Sequence, residues 1–214
     1  WAKPEIAQLK DLKGKLIANT LPGTSLNLAA AVLLQRAGLD PLRDVKLIAF
    51  GRLGLVPQAL FTGVVDAALL SPPETIEAKK LGLRMLIDLA TARIPCMFTS
   101  VVTTRTVLEQ SPAALARFLK GLMHGLKLAS TNPDMAKKTI SRNMRLTDPA
   151  AVEEVYQRVV ALYERLPLVP KEAIETVVRL SPTQSQRNPF GVVDMSLLER
   201  IDKEGFVRSL YATK

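Results

Sequence analysis

Histidine and cysteine are almost missing from this chain, which has one of each, His124 and Cys96. A lone cysteine forbids an intrachain disulfide and says nothing about redox compartment. A lone histidine excludes the metal sites and catalytic triads that need several such side chains. Aromatic residues make up 5% of the chain, too few for a platform that stacks nucleobases. No apolar run approaches the roughly 18 residues of a membrane span. The stretch Leu26–Leu34 is already interrupted by Asn27. GxGxxG after a strand, GxxxxGK(S/T), HExxH and GxSxG are all absent. The chain opens at Trp1 with no charged-then-apolar leader, as a cleaved precursor, a trimmed chain or a fragment would.

What is present is an ordinary globular composition: 214 residues, 48% hydrophobic and 23% charged, enough for one or two domains. The net charge is +9, but it is spread thinly. Residues 1–10 carry +1, residues 11–94 carry +3 and residues 95–214 carry +5, with no basic run longer than Lys79–Lys80 or Lys137–Lys138. Such a distribution describes a solvated basic surface and argues against nucleic acid as a partner. It remains compatible with an anionic small ligand.

Along the first part, short β-type runs alternate with helical periodicity. Lys15–Ala18 is a strand candidate, followed by a turn over Asn19–Gly23. From Thr24 the apolar residues Leu26, Ala29, Ala30, Leu33, Leu34 and Ala37 recur at helical spacing, between an N-cap at Thr24 or Ser25 and a stop at Gly38. Val45–Phe50, Ala67–Leu70 and Arg84–Ile87 read as strands two to four. Helices begin near Pro57 and after Ser71-Pro72-Pro73-Glu74. This alternation predicts right-handed crossovers and a four-stranded, mainly parallel sheet over residues 15–87, with helices on both faces. Met97–Thr103 is a fifth strand candidate, expected to be poorly paired within this chain. The remainder is helical, from Pro112–Ser130 and then from Pro133, Pro149, Pro170 and Asp194, with a loop over Ser181–Gly191. Phe118 and Leu122 on helix 112–130 are expected to be partly uncovered.

In a parallel sheet, ligands bind outside the carboxyl ends of the strands. Three loops lie there: Asn19–Ser25, Gly51–Leu55 and Ser71–Glu74. The candidate site residues are therefore Thr20, Gly23, Thr24, Ser25, Arg52, Ser71 and Glu74. Pro22-Gly23-Thr24-Ser25 joins a glycine, two hydroxyls and a helix start, the outline of a small-anion site and equally of an ordinary N-cap. Arg52, between glycines, is placed to pair with a carboxylate, sulfonate or phosphonate. Ser71–Glu74 serves ligand contact or a helix start with Pro and Glu in its first turn. Glu153–Glu154 are adjacent on a helix, so their carboxylates diverge and describe a solvated face. Cys96 and His124 read as structural residues.

These residues resemble a known family. Asp11-Leu12-Lys13-Gly14-Lys15, then Pro22-Gly23-Thr24-Ser25 and a helix ending Leu34-Gln35-Arg36-Ala37-Gly38-Leu39, resemble the second lobe of periplasmic substrate-binding proteins of ABC importers. The branch is the NMT1-like one, for nitrate, sulfonate, taurine and thiamine precursors. Leu60–Ala67 looks like its ALxxGxVDA segment, Ser71–Glu74 like its ligand-side loop, and Thr103–Arg105 with Gln110–Pro112 like its return strand and next helix start. The likeness covers residues 9–130 best.

The resemblance implies an α/β, type II periplasmic-binding-protein-like fold. Residues 9–94 would be lobe two, and 95–214 the helical return segment of lobe one. The family closes its lobes on the solute about a hinge, here near Arg93-Ile94-Pro95. An earlier portion of lobe one would be lacking from this chain. The implied role is non-enzymatic: capture of a small anionic or zwitterionic solute and its delivery to the membrane permease of an ABC transporter. The implied location is periplasmic, or extracytoplasmic and lipid-anchored in a Gram-positive cell. No cofactor, metal or nucleic acid is expected, and the chain is not expected to span a membrane. The alternatives are a fold-related biosynthetic enzyme of the thiamine-pyrimidine or menaquinone type, or the sensing domain of a regulator. The pyrimidine-making type carries a Cys-rich stretch and an active-site His, which one Cys and one His do not match.

Overall fold

A computed structural model describes residues 1–50, 53–97, 99–180 and 189–212. The chain divides into two compact units, Trp1–Phe98 with Pro170–Arg187, and Thr99–Val169 with Asn188–Lys214.

The first unit is built on a parallel sheet of β1 (Leu16–Asn19), β2 (Lys46–Ala49) and β3 (Ala67–Ala68), in the order β2-β1-β3. Leu16 pairs with Lys46 through Asn19 with Ala49, and Ile17 and Ala18 pair with Ala67 and Ala68. Between the strands run α1 (Ser25–Arg36) and α2 (Val56–Phe61), and α3 (Glu74–Lys80) follows β3. Successive strand residues face opposite sides. Ile17 and Ala67 join one core with Ile6, Leu12, Leu34, Leu39 and Val45. Ala18 and Ala68 join a second core with Val56, Leu60, Val65 and Ala78. Both faces are therefore covered, which is why these strands read as continuous apolar runs.

The expected four-stranded parallel sheet needs correction. Residues 84–87 form no strand beside β3; Arg84 makes a single antiparallel bridge to Ala2, which also bridges antiparallel to Ala67. Ala2 thus lies between Ala67 of β3 and Arg84, bridged to both. Trp1 and Ala68 exchange backbone hydrogen bonds, as do Ala2 and Arg84 (2.7–2.9 Å). An antiparallel partner there cannot be foreseen from βα alternation, because Trp1–Lys3 is followed at once by Pro4. Residue 97 and residues 99–103 form no strand either, consistent with the expected lack of partners. The helix α8 (Lys171–Leu180) packs on α1.

The second unit is helical: α4 (Arg105–Gln110), α5 (Pro112–Thr131), α6 (Pro133–Met144), α7 (Pro149–Val160), α9 (Ser196–Lys203) and α10 (Phe206–Tyr211). Thr104, Asn132 and Asp148 cap α4, α6 and α7 through their side chains. Met123 of α5 is fully buried against Leu197, Leu198, Ile201 and Leu210. Phe118 on the same helix is 56% exposed and Leu122 half-buried, as the sequence led us to expect.

Candidate ligand-binding site

Because β1, β2 and β3 run parallel, the loops that follow them emerge at one end of the sheet. That places Thr20, Gly23, Thr24 and Ser25 of the first loop at the same end of the sheet as Ser71 and Glu74 of the third. Arg52, in the second loop, lies outside the described residues.

The first loop is held by its own side chains. Thr24 is the N-cap of α1: its hydroxyl accepts from the Asn27 amide at 3.4 Å and donates to the Leu21 carbonyl at 2.8 Å. A hydroxyl has one proton, so the short hydrogen bond between Thr20 Oγ1 and Thr24 Oγ1 has Thr20 as its donor. Gly23 has φ 83°, a left-handed backbone that disfavours any side chain, and its amide donates to Asn27 Oδ1 at 3.1 Å. A β-carbon at Gly23 would meet nothing within 4 Å, so space beside this backbone is open. The Thr24 hydroxyl is thus committed to the cap, and what the loop offers a ligand is the positive start of a 12-residue helix opened by half-buried Ser25. In the third loop Pro72–Pro73 is cis, Ser71 is half-buried and Glu74 opens α3, also half-buried.

Two residues of this rim escaped the sequence reading. Asn19, which ends β1, is 2% exposed, and Thr75, in the first turn of α3, is 4% exposed. The Thr20 amide donates to Asn19 Oδ1 at 2.8 Å, yet Asn19 Nδ2 has no partner, and neither has Thr75 Oγ1. The third buried polar residue described, Thr176, is satisfied by the Glu172 carbonyl at 2.8 Å. The available signals were an Asn closing an apolar strand and a Thr three residues before Ala78 on the inward stripe of a helix.

Asp66, in the motif-like Val-Asp-Ala segment, stands at the other end of the strands. Its carboxylate accepts from the Leu16 amide at 3.0 Å and pairs with Lys3 Nζ at 2.9 Å. Burial pushes this carboxyl upward, but the Leu16 amide and the Lys3 ammonium outweigh it and hold it below its ordinary value. It is a strut between β1, the start of β3 and the amino-terminal segment.

Elsewhere, burial raises the Cys96 thiol, which makes it a poor nucleophile. His124 meets Phe206 edge-on, with centroids 5.6 Å apart. Among the described residues no group of three His, Cys, Asp or Glu side chains is arranged to hold a metal, and no helix is long and apolar enough to cross a membrane.

Comparison with known proteins gives two findings. The family model described as NMT1/THI5 like matches residues 2–136. The fold is that of the periplasmic aliphatic sulphonate binding protein SsuA from Escherichia coli. That match has a TM-score of 0.71 and 19% identity, covering 92% of this chain and 68% of that one. No curated protein matches the sequence.

Proposed function

The chain belongs to the NMT1/THI5-like family, and from that premise we propose that it is the solute-binding component of an ABC import system, not an enzyme. It acts outside the cytoplasm, captures a small anionic or zwitterionic organic solute and hands it to a membrane permease. The observation that carries this is the convergence of strand-end loops at one end of a parallel sheet, in a fold shared with a sulphonate-binding protein.

In this proposal the solute's acid group sits at the start of α1, where the positive end of the 12-residue helix dipole meets it. Arg52 adds a charge-assisted hydrogen bond worth about 1.5–3 kcal/mol. Glu74 holds an ammonium group if the solute carries one, and otherwise complements its own helix dipole. Ser71 and Thr20 complete the rim.

The test is a thermal-shift screen with alkylsulfonates, carboxylates, nitrate and pyrimidines, followed by calorimetric titration of each hit. A solute at one hundred times its Kd stabilises by about 2.7 kcal/mol. That corresponds to a rise in Tm of roughly 5–10 °C for a chain of this size. Arg52→Ala is expected to weaken an acid hit at least about tenfold, which is 1.4 kcal/mol. Stabilisation by pyrimidines alone, or turnover of any hit, would overturn the proposal.

A further inference from the structure

We propose that Asn19 and Thr75 form a neutral hydrogen-bonding floor that selects the solute by an acceptor oxygen; this rests on the strand-end loops being the solute site. Three observations lead there. Both residues belong to the same end of the sheet: Asn19 closes β1, and Thr75 follows the short loop out of β3, the parallel neighbour of β1. Both are almost fully buried, and each holds a polar atom with no partner, whereas the buried Thr176 in the same unit is satisfied. The loop hydroxyls of Thr20 and Thr24 are consumed by each other and by the cap. The floor therefore has hydrogen bonds left to give where the loop above has few.

The chemistry of the floor is specific. Asn19 Oδ1 accepts from the Thr20 amide, so the amide plane cannot be turned over without setting its NH2 group against that N–H. The free atom is a donor, and it demands an acceptor. Thr75 Oγ1 donates or accepts as required. Neither group is charged, so the pair accepts a sulfonate, a carboxylate or a carbonyl oxygen, and an ammonium, which brings no acceptor, leaves Asn19 Nδ2 unpaired. Both atoms are sealed from solvent as the rim stands, so a solute oxygen reaches them by parting the adjoining loop. An unpaired buried polar group is costly, and a site that rejects solutes lacking the right atom depends on just such groups.

The experiment uses ethanesulfonate, butyrate, butyramide and ethylammonium as probes, read by Tm and by calorimetry. Thr75→Val keeps the shape and removes the hydroxyl alone. It is expected to raise the Tm without any probe by about 2–4 °C and to weaken ethanesulfonate at least about fivefold. Asn19→Asp keeps an oxygen for the Thr20 amide and replaces the donor by an acceptor. With its fold verified by circular dichroism, it is expected to abolish the response to both acids. Thr75→Val decides the matter if Asn19→Asp does not fold. A lower Tm for Thr75→Val, or an unchanged affinity at any Tm, overturns the floor and leaves the solute-binding role standing. Binding of butyramide as tight as that of the acids upholds the floor and overturns the anionic class proposed above. No response of the unmodified protein to any acceptor probe, or a response to ethylammonium equal to that for the acids, overturns the floor.

Discussion

Removing the carboxylate of Asp66 separates a strut from a ligand contact. The carboxylate bonds the Leu16 amide at 3.0 Å and Lys3 Nζ at 2.9 Å, and its side chain is only 25% exposed. A hydrogen bond to a charged acceptor contributes about 1.5–3 kcal/mol. The part-exposed ion pair adds about 0.2–1 kcal/mol. Asp66→Ala is therefore expected to cost about 2–4 kcal/mol. For a chain of this size that lowers the Tm by about 4–16 °C. Asp66→Asn keeps an oxygen for the Leu16 amide and should cost about half as much. The pH dependence has a definite sign. The carboxyl lies below its ordinary value of 3.8 in the folded chain, so its contribution is complete above that value and is lost as pH falls through the lower, folded one. The gap between the native chain and Asp66→Ala should accordingly be constant from about pH 5 upward and close in stronger acid. Calorimetric unfolding across that range, paired with solute titration, provides the measurement. A Tm within about 1 °C of the native one would refute the strut. A large loss of solute affinity without loss of stability would move Asp66 into the site.

In a polypeptide starting at Trp1, the terminal amine bonds the Ala68 carbonyl at 2.8 Å, and burial lowers its pKa from 8.0 to about 6. Between those values the unfolded chain binds the proton and the folded chain does not, so stability should rise with pH by up to about 2.7 kcal/mol; denaturant midpoints from pH 6 to 9 should show the slope, and amino-terminal acetylation should remove it. Met123→Ala empties the centre of the second unit's core, and should cost about 2–5 kcal/mol in chemical unfolding, with the first unit's transition unmoved. Thr24→Ala should cost about 1 kcal/mol of stability as a lost cap, while changing solute affinity less than about threefold, because the Thr24 hydroxyl is committed to the cap, to Leu21 and to Thr20 rather than to a ligand.

Local rules carried the reading of this chain a long way. The apolar runs around Ile17, Leu47 and Ala67 and the helical spacing from Leu26 to Leu34 marked β1 to β3 and α1. Thr24 as cap and the prolines that open α5, α6 and α7 set helix starts within a residue or two. The order of the weak motifs pointed to the family. All of these depend on residues within one turn, one strand or one crossover of each other, where period and sterics act directly on the chain. Which residue sits opposite which across a sheet is a long-range choice, and only the tertiary structure made it. It set Ala2 beside Ala67 of β3 and left Arg84–Ile87 with a single bridge in place of a fourth strand. It turned Asp66 from a motif residue into a strut fifty positions from its partner Leu16. It also buried Asn19 and Thr75 with atoms left unpaired at the rim. Burial and pairing at such separations follow from how the cores close, and no periodicity along the chain records them.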